Sequence, residues 1–268
     1  MANEARYLYS VARTGEHNDI VRLGNIGIEK NEVYIVQFKD IAAVVHACEA
    51  KPYRTEDRKL AEDWVLEHSY VIDQATRMFG TVLPFSFDII IKGDDDAVKG
   101  WLSRDYETLA GELLRMLGTA EYSIQIYCDP ACLEKMVLAH NQDLQDLKSR
   151  IEKEPKGKAY LLKRNLDLKM KDKAFSEAAK LAEHFSGVIR PLAEELKIAG
   201  KSSWAEEKYK DKKLVASFCC RVSDSAVKEL GGMLDEINGK EGFYVRFTGP
   251  WAPFSFVCLS GAGHSEGG

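Results

Sequence analysis

Two cysteines separated by three residues are the closest approach to a metal-binding motif in this sequence. Cys128 and Cys132 could supply two thiolates, but a zinc ion needs about four nitrogen or sulfur ligands. No second cysteine or histidine pair with suitable spacing accompanies them, and the adjacent Cys219 and Cys220 would point to opposite faces of a strand. We therefore predict no metal site.

Acidic residues cluster at two other places. The run from Gly93 to Asp96 lacks the spaced oxygen ligands and closing glutamate of an EF-hand, so its carboxylates fit the first turn of a helix better than a cation site. Acid–base chemistry would need a carboxylate and an imidazole together, which one predicted helix offers at Glu62, Asp63, Glu67 and His68. Glu67 and His68 are sequence neighbours and do not face each other on a helix, so we predict a surface position for this group.

A glycine-containing segment near the end of the sequence does not match a phosphate-binding loop. The spacing from Gly232 to Gly239 and Lys240 is too long, and Glu241 stands where a serine or threonine is needed. No nucleophile elbow is present either. Because no set of residues assembles a reaction centre, we predict a protein that is not an enzyme and uses no cofactor.

A rigid aromatic segment, Thr248–Phe256, has no catalytic explanation. Pro250 and Pro253 flank Trp251 and hold the backbone in extended conformations. One interpretation is a packed corner that locks the last strand onto a helical hairpin. The other is a rigid aromatic platform for a partner.

The composition is that of an ordinary globular protein. The chain has 268 residues, of which 45% are hydrophobic and 29% charged, and its net charge is −5. An acidic balance argues against a dedicated nucleic-acid binder. The N-terminal residues do not resemble a targeting segment, and the apolar runs are too short to span a bilayer, so we expect a soluble, cytoplasmic protein with unpaired cysteines.

The N-terminal half alternates strands and helices in the manner of a modified ferredoxin-like domain, predicted to span residues 1–129. The predicted elements begin with a strand Arg6–Ala12, a loop Asn18–Lys30, a hairpin of Glu32–Lys39 with Ile41–Ala47, and a helix from Glu56 to about Phe79 capped by Thr55. They continue with a strand Thr81–Ile91, a helix that follows Asp94–Asp96 and runs through Leu117, and a strand Glu121–Cys128.

Two long helices with facing apolar stripes are predicted next. The first stripe is Leu133, Val137, His140, Leu144, Leu147 and Ile151 on one helix. Pro155 and Gly157 break that helix. The second stripe repeats every seven residues, at Leu161, Leu168, Phe175, Ala182 and Ile189, with Ala178, Phe185 and Leu192 at the intermediate positions. Facing stripes with a short link favour an antiparallel helical hairpin, whose second helix ends before Pro191.

The predicted hairpin carries many basic residues on its exterior. They are Lys148, Arg150, Lys153, Lys156, Lys158, Lys163, Arg164, Lys169, Lys171 and Lys173. A solvated helix face is the simpler interpretation, and an electrostatic docking surface for an acidic partner is the alternative.

The last part of the chain is predicted to return to strands. The second predicted domain spans residues 130–259. It is completed by a strand Lys213–Val222, a helix Asp224–Ile237 capped by Ser223, and a strand Gly242–Thr248. Residues 260–268 are rich in glycine and are predicted to form a flexible tail. The fold class predicted for the whole chain is α+β.

Three motifs resemble the gas vesicle protein F/L family (GvpF/GvpL), and they occur along the chain in the order expected for that family. Gly249–Val257 resembles the family's C-terminal Gly-Pro-Trp-Pro-Pro-Tyr/Phe signature, with Ala252 in place of one proline. Lys156–Lys163 resembles its Gly-x-x-Tyr-Leu segment, and Val82–Phe87 its Leu-Pro-aromatic strand. The family-motif residues are Pro84, Phe85, Gly157, Tyr160, Leu161, Gly249, Pro250, Trp251, Pro253 and Phe254.

The resemblance implies a role in gas vesicles, the hollow protein shells that give aquatic microbes buoyancy. Family members are expected to assist assembly by contacting the hydrophobic shell protein and other accessory proteins, with no catalytic residues. Candidate contact surfaces are the strand containing Pro84, as an open sheet edge, and the groove of the helical hairpin. A minor structural component of the shell and a small-molecule-binding ferredoxin-like protein are the alternatives.

Overall fold

A computed structural model describes residues 3–15, 21–200 and 206–257 of the chain. The chain forms two compact units. The first runs to Glu121 and resumes at Pro250, and the second is Tyr122–Gly249. The domain limits predicted at residues 129 and 259 stay a prediction. The tail predicted at 260–268 lies outside the described residues.

The first unit is built on an antiparallel sheet of six strands. The order is β2-β3-β4-β1-β5, and β6 also pairs with β1. Its elements are β1 (Glu4–Arg13), β2 (Arg22–Gly24), β3 (Val33–Phe38), β4 (Ile41–Glu49), α1 (Arg58–Phe79), β5 (Val82–Pro84), β6 (Ile90–Lys92), α2 (Asp95–Arg104) and α3 (Tyr106–Met116). The predicted hairpin of β3 and β4 is confirmed, whereas β2 lies in a segment predicted to be a loop.

Three predictions for the first unit are wrong in detail. The single strand predicted at Thr81–Ile91 is two short strands, because the chain leaves β1 between them and Asp88 adopts a positive φ of 71°. The cap of α1 is Asp57, whose carboxylate accepts the backbone N–H groups of Lys59 and Leu60, rather than Thr55. The helix predicted up to Leu117 is broken at Asp105 into α2 and α3.

Two neutral histidines lie in the core between the sheet and α1. His46 is 0% exposed and His68 is 3% exposed, and each ring bonds to a tyrosine of β1. The Tyr9 hydroxyl lies 2.7 Å from His46 Nδ1, and the Tyr7 hydroxyl lies 2.9 Å from His68 Nδ1. The surface position predicted for His68 is therefore wrong, because the face of α1 that carries it packs against the sheet.

The hydrogen bonds fix the tautomer of a neutral His68 and are compatible with a neutral His46. The Tyr7 and Tyr9 oxygens accept backbone N–H groups from Asp88 and Ile28, and each hydroxyl can donate its proton to the neighbouring histidine Nδ1. His68 then donates from Nε2 to the Phe85 carbonyl, 3.1 Å away. A second proton on the ring would leave the tyrosine hydroxyl without an acceptor. Burial also lowers the pKa of both histidines, to about 4.

The second unit combines a four-stranded sheet with helices. The sheet order is β10-β7-β9-β8. The elements are β7 (Thr119–Cys128), α4 (Pro130–Ala139), α5 (Gln142–Ile151), α6 (Lys156–Ile189), β8 (Glu195–Ile198), β9 (Lys213–Ser223), α7 (Val227–Asn238) and β10 (Phe243–Trp251). Strand β7, which the sequence pattern placed in the first sheet, lies between β10 and β9, and β8 was not predicted. Helix α7 starts after Ala226 without a side-chain cap, so the predicted cap Ser223 is wrong.

The helical hairpin is present with one correction. Its first arm is two helices, because His140 and Asn141 have non-helical backbone angles between α4 and α5. The second arm, α6, starts directly after Pro155, ends at Ile189 and contacts both α4 and α5. His140 Nδ1 lies 2.9 Å from the buried carboxylate of Glu177 on α6. None of the described helices combines the length and apolar character needed to cross a membrane.

The face of α6 that packs differs from the predicted stripe. The residues turned inward along the helix recur mostly every four positions, at Leu162, Leu166, Met170, Ala174, Ala178, Leu181, Phe185 and Ile189. Leu161, Leu168 and Phe175 of the predicted stripe are exposed. A strict seven-residue repeat drifts by about 20° per heptad on a straight helix, so of these positions only the last, Ile189, reaches the core. Of the predicted intermediate positions on α6, Phe185 is buried and Ala178 faces inward.

Acidification should destabilise the protein through the two core histidines. Their pKa is lowered to about 4 in the folded state, whereas a histidine of the unfolded chain titrates near about 6.5. The stabilisation is therefore complete above about pH 6.5 and is lost as the pH falls toward 4, at up to about 1.4 kcal/mol per pH unit for each histidine. Urea unfolding between pH 7 and pH 4.5 measures this slope.

A matched variant separates the histidines from general acid denaturation. In His68→Gln the amide can accept from Tyr7 and donate to Phe85 but does not titrate. We expect a shallower pH dependence than in the wild type. Identical slopes would contradict the assignment of a neutral, buried His68.

Candidate interaction site

The C-terminal segment 250–257 packs back onto the first unit. Ala252 is 4% exposed and belongs to the core cluster that contains Tyr7, Trp64 and Ile72. Phe256 is 1% exposed. This segment is called the aromatic turn below, and its small and inward-facing residues fix it to the fold.

Two charged side chains clamp the backbone of the aromatic turn. The Glu121 carboxylate accepts from the Ser255 backbone N–H at 2.7 Å and from the Ser255 hydroxyl at 2.6 Å. The Arg115 guanidinium donates to the Phe256 carbonyl at 2.7 Å and pairs with Glu112 at the same distance. Hydrogen bonds to charged groups are about twice as strong as neutral ones, so the path of the turn is well defined.

The aromatic turn leaves two rings facing solvent. Trp251 is 48% exposed and Phe254 is 45% exposed, while Pro253 between them is buried. Leu114 and Leu117 flank Arg115 at the end of α3 and are 62% and 58% exposed. We call the exposed rings of Trp251 and Phe254 the apolar patch below.

The motif residues at the start of the turn have special backbone requirements. Gly249 has a φ of 135°, a conformation that a residue with a Cβ rarely adopts. Pro250 follows it and is exposed. The backbone therefore redirects just before Trp251.

The other predicted motif residues occupy two different environments. Pro84 and Phe85 are buried, and Phe85 contacts Trp101 edge-on with ring centroids 5.9 Å apart. Strand β5 is the edge of its sheet, but all three of its residues are buried, which disfavours strand addition there. Gly157, Tyr160 and Leu161 belong to the second unit and are exposed on α6.

The residues considered for metal or acid–base chemistry have structural partners. Burial raises the pKa of Cys128 to about 12, and the Cys132 thiol lies 3.5 Å from the Glu241 carbonyl oxygen. Asp94 caps α2, as its position in the acidic run suggested. Within the described ranges, no three histidine, cysteine or acidic side chains are grouped so that they could hold a metal ion.

A surface groove of about 440 Å³ is the candidate for the small-molecule alternative. Its lining includes Glu29, Lys51, Arg54 and Trp64. Lys51 is already paired with Glu49 at 2.7 Å. The Trp64 indole N–H has no hydrogen-bond partner in the described part of the chain, but it is fully buried and a ligand could not reach it. The lining is mostly polar and charged, whereas small-molecule pockets are lined predominantly by apolar side chains.

Comparison with known proteins identifies the family. The family model "Gas vesicle synthesis protein GvpL/GvpF" matches residues 5–258. The chain belongs to the GvpL/GvpF family. The match includes the whole aromatic turn and the exposed segment of α6 that carries Tyr160 and Leu161.

Two curated relatives come from haloarchaea. Gas vesicle protein L of Haloferax mediterranei is 34% identical over 233 residues, which is 86% of this chain and 72% of the relative. Gas vesicle protein L1 of Halobacterium salinarum is 31% identical over 257 residues, covering 95% of this chain and 91% of the relative.

Solved structures share the fold of this GvpL/GvpF family member. The crystal structure of GvpF from Anabaena matches with a TM-score of 0.73 at 18% identity, covering 96% of this chain and 99% of the other. GvpF from Microcystis aeruginosa matches with a TM-score of 0.66 at 16% identity, over 97% and 100% of the two chains. The predicted α+β fold class and the predicted family are confirmed.

The clamp residues were not found from the sequence. Glu121 and Arg115 precede their partners in the aromatic turn by 134 and 141 positions, and no local pattern connects them. The core histidines left a weak signal, since Tyr7 and Tyr9 alternate on one face of a predicted strand and His46 lies in the next predicted hairpin.

Alanine substitutions should separate the anchoring residues from the exposed rings. Phe256→Ala removes a buried aromatic side chain and should lower the free energy of unfolding by about 3–5 kcal/mol. Trp251→Ala and Phe254→Ala should each lower it by about 1 kcal/mol or less, because these rings are half exposed. Urea unfolding at pH 7 gives all three values. An equal loss for Trp251→Ala and Phe256→Ala would show that Trp251 is a packing residue.

Proposed function

We propose that this protein is an accessory factor for gas vesicle assembly that binds the hydrophobic shell protein through its apolar patch. It works in the cytoplasm at the growing vesicle, contacts other accessory proteins and carries out no catalysis. One observation carries the proposal: the turn is clamped by Glu121 and Arg115, yet it leaves the rings of Trp251 and Phe254 facing solvent.

A rigid aromatic turn suits the capture of an apolar partner. A shell subunit exposes apolar surface before it polymerises, and such surface leads to aggregation unless it is covered. Aromatic side chains bring large contact areas with few rotatable bonds. Because the clamp already orders the backbone, binding costs little further conformational entropy.

Capture of purified shell protein by the full-length protein tests the proposal. We expect binding that persists at 1 M salt, because apolar contacts are not screened by ions whereas exposed charge pairs are, at a Debye length of about 3 Å. The double variant Trp251→Ala/Phe254→Ala should lose at least about 90% of the captured shell protein, since a few aromatic residues dominate most interfaces.

A control pair of exposed side chains lies on α1. Leu66 and Tyr70 are 67% and 51% exposed, and the variant Leu66→Ala/Tyr70→Ala should bind like the wild type. Equal capture by both double variants would contradict the role of the apolar patch. Absence of capture by the wild type would contradict shell-protein binding itself.

A further inference from the structure

The outer face of α6 carries an apolar stripe that no other part of the described structure covers. Leu161, Leu168 and Phe175 are 65%, 63% and 75% exposed. They recur every seven residues, or about every 10 Å along the helix, and so lie nearly in line on one side. We call these three side chains the outer stripe.

The stripe is not needed for packing within the second unit. The inner face of α6, with Leu166, Met170 and Phe185 among its members, makes the contacts with its neighbours. Large exposed apolar side chains with a seven-residue repeat are the pattern by which one helix accepts another in a coiled coil. The hairpin therefore presents one apolar residue per heptad on its solvent side, which is half of a coiled-coil seam.

Basic side chains flank the outer stripe on both sides. Arg164 and Lys171 follow Leu161 and Leu168 by three positions, so they lie next to them on one side of the stripe. Lys158 and Lys169 lie on the other side. Residues 156–175 hold seven lysine or arginine residues and two aspartates, although the whole chain has a net charge of −5.

Most of the basic residues beside the stripe are available to a partner. Lys158 is the exception, because it pairs with Glu154 at 2.9 Å. In the described structure, Arg164 and Lys171 on one side of the stripe and Lys169 on the other have no carboxylate within ion-pair distance. These cations favour a partner with the opposite charge at the matching positions.

We propose that the outer stripe of α6 is the docking site of an acidic amphipathic helix, which places its apolar residues on Leu161, Leu168 and Phe175 and its carboxylates against the basic margins. The inference concerns the second unit and is independent of the function proposed for the aromatic turn.

Two other occupants fit the stripe less well. A second copy of this chain would bring its own basic margins against these, and like charges across an interface are repulsive. An anionic lipid surface requires a wide apolar face on the helix. The outer stripe is one residue wide, and Asp172 lies close to it. A narrow stripe beside a negative charge suits a helix better than a bilayer.

A designed peptide probes the stripe directly. The probe is an acidic helix of about four heptads with leucine at the a and d positions and glutamate at e and g. Its matched control has lysine in place of every glutamate. Binding to the full-length protein is measured by fluorescence anisotropy at low and high salt.

We expect the acidic peptide to bind at least about tenfold more tightly than the lysine peptide, and more weakly as salt rises. The variant Leu161→Ser/Leu168→Ser/Phe175→Ser should bind it at least about tenfold more weakly, because three apolar contacts are lost. The charge-reversal variant Arg164→Glu/Lys171→Glu, which leaves the apolar side chains in place, should reverse the preference between the two peptides. A control with the same types of change on α1, Leu60→Ser/Leu66→Ser/Tyr70→Ser, should bind like the wild type.

Several outcomes would overturn the inference. Equal affinity for the two peptides, or unchanged affinity in the stripe variant, would show that the stripe does not recognise an acidic helix. A wild-type dimer in light scattering that the stripe variant fails to form would make the face a self-contact. Stripe-dependent binding to phosphatidylserine vesicles without peptide binding would make it a lipid contact.

Discussion

The buried carboxylate of Glu121 is the interaction on which the proposed binding surface depends. A buried charge must be satisfied by hydrogen bonds, and Ser255 supplies two, from its backbone N–H and from its hydroxyl. This pairing decides which side of the aromatic turn faces the core, with Ala252 and Phe256 inward and Trp251 and Phe254 outward. The apolar patch is therefore a consequence of a polar contact, and it is held in place before any partner arrives.

The core beneath the turn adds a second constraint. Ala252 shares a core cluster with Tyr7 and Tyr9, whose hydroxyls bond the neutral rings of His68 and His46. An extra proton on either histidine is disfavoured in such a core, because it would leave a tyrosine hydroxyl without an acceptor in an apolar interior. The core that carries the aromatic turn therefore keeps these hydrogen bonds near neutral pH, where both histidines are neutral.

Most elements are predicted correctly from local signals in the sequence. The errors lie where the structure depends on contacts between residues that are far apart in the chain. The predicted strand over Arg6–Ala12 and the predicted helix break at Pro155 are both found, because alternation and proline act over a few residues. The sheet that β7 joins and the inward face of α6 depend on partners far along the chain. For the same reason the motif around Trp251 could be recognised from the sequence, but its division into anchoring and exposed rings could not, since Glu121 and Arg115 decide it.

Site-specific photo-crosslinking in cells that are assembling vesicles shows whether the aromatic turn touches the shell protein. A photoreactive benzoylphenylalanine replaces Trp251 in the full-length protein, and the same residue at Leu66, which is 67% exposed on α1, serves as the reference. We expect a covalent adduct with the shell protein from position 251 and none from position 66. An adduct from position 66 alone, or equal adducts from both, would contradict the claim that the clamped aromatic turn is where the shell protein is held.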